Sequence, residues 1–76
     1  MKAKIYVSLL NEGVSTYKYI LAERIRDTIY TISEDNDYDS EDEEWEFIPG
    51  TTVVVEMKKF QDGTSDLVAI KEYSKM

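Results

Sequence analysis

The segment from Glu34 to Glu46 limits what this chain can fold into more than any other feature. Nine of its thirteen residues are acidic and none is Lys or Arg. Carboxylates so densely placed repel one another and stay in water, which predicts a long, solvated, mobile loop over 34–44 that takes no part in a core. On that expectation, a Gly/Ser linker in place of Asp35 to Glu43 leaves the thermal midpoint unchanged or higher, because a flexible loop contributes little apolar burial. The core must come from the flanking residues. With 76 residues in all, one domain over 1–76 is expected, the acidic loop lying within it.

The charge is as local as the loop. Outside those nine acids the chain carries seven acids against nine bases, so a near-neutral body bears one strongly negative segment. The chain has no Cys and no His, so no disulfide, thiolate or imidazole site can form, and no cofactor is expected. Lack of cysteine fits a reducing cytoplasm. The first ten residues alternate polar and apolar instead of forming a signal-peptide core, and no apolar run is long enough for a membrane span. A soluble cytoplasmic protein is expected.

Period-two patterning dominates the flanks. Ile5, Val7 and Leu9 face one way and Lys4, Tyr6 and Ser8 the other, as in a half-buried strand. Asn11-Glu12-Gly13 has turn chemistry. From Tyr17 to Ile25 two spacings coexist, Tyr17/Leu21/Ile25 for a helix and Tyr17/Tyr19/Leu21 for a strand. The β-favouring Tyr and Ile residues tip the reading to strand, with one short helix between Ser15 and Thr28 as the alternative. Arg26-Asp27 is a tight turn before the β-type run Thr28 to Ser33. Pro49-Gly50 and Asp62-Gly63 are turn pairs bounding Thr51 to Lys58, whose Val53, Val55 and Met57 share a face, and Leu67 to Tyr73 closes the domain. Together these predict a mainly β protein: a small five-stranded antiparallel sheet curled into a partly open barrel of SH3-like or OB-like size.

Three blocks resemble a group of small uncharacterised bacterial proteins: Ile5-Tyr6-Val7-Ser8-Leu9-Leu10-Asn11-Glu12-Gly13, Trp45-Glu46-Phe47-Ile48-Pro49-Gly50 followed by Val53 to Glu56, and Leu67-Val68-Ala69-Ile70. The resemblance covers most of the chain outside the acidic loop and implies no activity. Members of that group carry Trp-Arg-Pro-Val where this chain has Tyr17-Lys18-Tyr19-Ile20, and a Pro there disfavours a helix. This chain lacks that Pro.

Two constellations bear on function. Asp35, Asp37, Asp39, Glu41, Glu43 and Glu46 fall at positions 1, 3, 5, 7, 9 and 12 of a calcium-loop template. Ser40 stands where the template has Gly, and Asp42 where it has an apolar anchor. Some match is expected by chance in so acidic a run, and a plain solvated loop is the simpler reading. Trp45 with Tyr6, Tyr17, Tyr19, Tyr30, Tyr38 and Tyr73 could instead form an aromatic groove for a peptide, although core packing accounts more simply for Trp45, Phe47 and Tyr30. Enzymatic chemistry finds little footing, since no His activates a Ser and the loop carboxylates are unfixed. The bases are dispersed and the dominant field repels phosphate, which argues against nucleic acid.

The functional expectation is a small acidic protein-binding module, in one version inhibitor-like or immunity-like, that meets a partner's basic surface. Its binding residues would be Tyr6, Tyr17, Tyr19 and Trp45 with Glu41, Asp42, Glu43 and Glu44. The alternative is a module that responds to a divalent cation through the carboxylates of 35–46.

Overall fold

The computed structural model describes residues 2–10 and 16–73. It contains six strands: β1 (Lys2–Leu10), β2 (Tyr17–Arg26), β3 (Ile29–Ile32), β4 (Glu44–Trp45), β5 (Thr52–Lys59) and β6 (Ser65–Glu72). No helix occurs among the described residues, so the ambiguous stretch from Tyr17 is strand and the helical alternative falls. The Asn11-Glu12-Gly13 turn lies outside the described residues.

Five strands pair in a ring, β1 with β2, β2 with β3, β3 with β5, β5 with β6, and β6 back to β1. Four of these contacts are antiparallel, while β6 meets β1 in parallel at Tyr6 and Val68. The small, mainly β, five-stranded sheet expected from the sequence is present, and its one parallel seam follows from closure: directions cannot alternate around an odd number of strands. The sixth strand, β4, continues along β1 where β6 has left it, pairing Leu9 with Trp45 and Leu10 with Glu44.

Alternation sets the core. Ile5 and Val7 of β1, Ile20 and Ala22 of β2, Tyr30 and Ile32 of β3, Val53 and Val55 of β5, and Ala69 of β6 point inward around Trp45. Leu9, Tyr38, Phe47 and Leu67 pack against that cluster. Met57 keeps the face of Val53 and Val55 yet is 61% exposed. Beyond Val54, β5 has lost β3 and pairs with β6 alone, so the hairpin runs past the ring and nothing lies beneath Met57. The register also shifts between Val54 and Val55, leaving Ile70 unpaired opposite them, while Val68, which pairs with Glu56 and Tyr6, is buried outside the core cluster that holds Ala69.

The turns follow their sequences. Thr51 N–H donates to the Ile48 carbonyl at 3.1 Å across Pro49-Gly50, with φ of 94° at Gly50, the positive value that the third residue of a type II turn requires. Asp27 takes φ of 38° in the reversal between β2 and β3, a conformation that Asp tolerates better than most residues. Among the described residues no helix is long and apolar enough to cross a membrane.

The acidic segment departs most from expectation. Eight of its nine carboxylates are exposed, as charge repulsion demands, but two of the uncharged residues between them, Asn36 and Tyr38, hold the backbone down. The Asn36 carboxamide accepts the Leu21 N–H at 2.9 Å and donates to the Leu21 carbonyl at 2.8 Å, replacing a strand residue on the β2 edge where β3 has ended. Tyr38 packs against Trp45 with ring centroids 4.8 Å apart. The segment is therefore a fixed surface rather than a tether.

Candidate functional site

The outward face of β1 and β2 gathers the tyrosines. Tyr6 and Tyr19 are direct cross-strand partners, as are Ser8 and Tyr17. Leu21 turns its backbone polar groups away from β1, so by alternation Tyr6 and Tyr19 form a non-hydrogen-bonded pair, the geometry that brings side chains closest. Their rings lie 4.6 Å apart. Phe60 completes the group, 5.0 Å from Tyr6 and 5.6 Å from Tyr17, edge-on to both.

The β5–β6 turn aims Phe60. Its N–H donates to the Thr64 carbonyl at 2.8 Å, Gly63 N–H returns to the Phe60 carbonyl at 3.1 Å, and Gly63 has φ of 91°. Asp62 holds the loop by accepting from the Thr64 N–H and hydroxyl, bonds that keep its carboxyl below the usual carboxylate range. Tyr6, Tyr17 and Phe60 with Thr16, Asp62 and Thr64 line a shallow cleft of about 310 Å³.

Cations border the aromatic rings. Lys4 Nζ lies 5.6 Å from the Tyr19 ring centroid, and Lys58 Nζ lies 5.2 Å from that of Tyr17 while donating to its hydroxyl at 2.7 Å. Partial burial, with the Asp66 carboxylate beside it, raises the Tyr19 phenol above its ordinary value.

Trp45 does not join this face. It is 3% exposed, inside the ring, with its indole N–H donating to Glu43 at 3.3 Å. Pairing with Leu9, itself packed on the core, turns Trp45 inward, so no ligand can use it as a groove wall. The same Glu43 oxygen accepts from Lys18 Nζ at 2.7 Å, and these two hydrogen bonds, Lys18 first, hold the Glu43 carboxyl low. Lys18 lies between Tyr17 and Tyr19 on β2 and so leaves by the opposite face. The acidic segment and the aromatic face thus flank a single strand.

Of the other acidic residues singled out by sequence, Glu41, Asp42 and Glu44 are exposed and close in sequence to that anchor. The six carboxylates of the calcium template do not converge. Among the described residues no three acidic side chains are grouped so as to hold a metal ion. Asp35 is paired with Lys2, whose hydrogen bond lowers the carboxyl and raises the ammonium. The Asp39 carboxylate turns back to accept the Glu41 N–H at 2.9 Å, and its carbonyl accepts from Glu43 N–H at 3.0 Å. The backbone here closes a turn on itself.

Sequence reasoning missed Phe60, Asn36 and Lys18, and saw Tyr38 only as one of many aromatics and not as an anchor of the acidic segment. An aromatic residue directly before a Gln-Asp-Gly turn and an uncharged Asn and Tyr inside an acidic run were the available signals. No protein family, curated protein or solved structure matches this chain.

Proposed function

We propose that this chain is a small, non-enzymatic protein-binding module that captures a partner with a basic surface; inhibition or immunity is one specific form of that role. The observation that carries the reading is the fixing of the acidic segment. Asn36, Tyr38 and Glu43 hold its backbone while Asp37, Asp39, Glu41 and Asp42 stay in water. Charges held in place present one field to an approaching partner, which speeds encounter more than it strengthens the complex. The aromatic face supplies rigid, amphipathic contact area at low entropic cost once the partner has arrived. Binding needs no activated acid or base, and each shifted carboxyl here is explained by a local hydrogen bond. The reading places the protein in the cytoplasm, in keeping with its lack of cysteine.

The test compares two baits in cell extract from the source organism: the wild-type chain and a variant with Asp37, Asp39, Glu41 and Asp42 changed to Asn or Gln. The expected partner is basic, and its association with the variant is slower by about tenfold or more at low salt, with dissociation changed much less. A partner held equally fast by both baits would contradict the proposal.

A further inference from the structure

Strand β2 is longer than the strand beside it. Its pairing with β3 covers only Ala22 to Arg26. One position further out, Leu21 is satisfied by the Asn36 carboxamide and by Ser33 N–H, which donates to the Leu21 carbonyl at 3.1 Å. Backbone polar groups alternate between the two edges of a strand, so those of Tyr19 and Tyr17 point to the same side as those of Leu21. Among the described residues no strand or loop pairs with that edge at either position. It is a short open edge between two anchors of the acidic segment, Asn36 at Leu21 and Glu43 at Lys18.

We infer that this edge, Tyr17 to Tyr19 of β2, receives an extended, lysine- or arginine-bearing segment of a partner as an added strand. The inference rests on the binding reading above and specifies how the partner is held. Side chains of an added strand alternate between the two faces of the sheet. On one face they meet Tyr17 and Tyr19, the latter 46% exposed. On the other they meet the side from which Lys18 reaches Glu43 and the acidic segment. Apolar residues on the first and basic residues on the second complement what is there. A second copy of this chain does not fit, because edge-to-edge pairing would bring its acidic segment against this one.

The probe is a capped heptapeptide of alternating lysine and valine, titrated into the uniformly ¹⁵N-labelled chain. Its control is the same peptide N-methylated at every backbone amide, which keeps the charge and removes strand pairing from both edges. With the unmodified peptide at about ten times its Kd, hydrogen exchange at the Tyr19 amide is expected to slow roughly tenfold, and the methylated peptide is expected to have no such effect. Equal binding of both peptides without protection at Tyr19 would overturn the added strand while leaving the acidic capture surface standing. Failure of the unmodified peptide to bind at millimolar concentration would also overturn the inference, and the bait comparison above judges the binding reading separately. Protection at Tyr19 without peptide, growing with protein concentration, would show that a second copy takes the edge and would equally overturn it.

Discussion

Replacing Asp35 to Glu43 with a Gly/Ser linker of equal length is expected to lower the thermal midpoint by roughly 10–25 °C. Two losses dominate. Removing the Asn36 carboxamide leaves the partly buried Leu21 N–H without its partner and the Leu21 carbonyl with Ser33 N–H alone, at a cost of about 1–2 kcal/mol. Losing the half-buried Tyr38 ring from Trp45 costs about as much again in apolar burial and ring contact. Relief of repulsion among exposed carboxylates works the other way, but exposed charges are worth only tenths of a kcal/mol each and are screened by salt. Asn36→Ala alone should reproduce about 1–2 kcal/mol of the loss. Thermal melts followed by circular dichroism decide the matter, and an unchanged or raised midpoint would restore the picture of a dispensable loop.

Trp45→Ala should cost more. The side chain is 3% exposed and touches the core cluster, and truncating a buried Trp removes about 3–5 kcal/mol. A domain of this size has roughly 4–11 kcal/mol in total, so the loss is a large fraction of its stability and the midpoint is expected to fall by roughly 12–40 °C. Trp45→Phe should retain most of the stability and lose mainly the hydrogen bond to Glu43. Amide dispersion in NMR spectra reads the outcome without the indole, and a Trp45→Ala chain with wild-type dispersion and midpoint would show that Trp45 is not part of the core.

The strands were legible in the sequence because alternation and turn chemistry are local. Ile5 and Val7, Val53 and Val55, and the Pro49-Gly50 and Asp62-Gly63 reversals all fell where period and composition placed them. The parallel seam between β6 and β1 was not legible, since it follows from closing an odd ring and no local pattern encodes it. Met57 misled because period two reports the face of a strand and not whether a core lies under that face. At the candidate site Tyr6 was visible as an outward residue and Tyr17 and Tyr19 as sharing one strand face, whereas Phe60 reaches them from the far hairpin by a tertiary approach. In the acidic run the charges masked the residues that matter to folding. Asn36 works through a backbone edge that exists only because β3 stops at Ile32, and Tyr38 through a ring seven residues later.

A fixed acidic surface is the premise of both the binding reading and the added strand, and ¹⁵N relaxation across 34–46 tests it most directly. Order parameters at Asn36, Tyr38, Glu43 and Trp45 are expected to be near the rigid value of about 0.85 seen in strands, dipping only between the anchors. Values below about 0.6 throughout the segment would show a solvated tether and contradict the account.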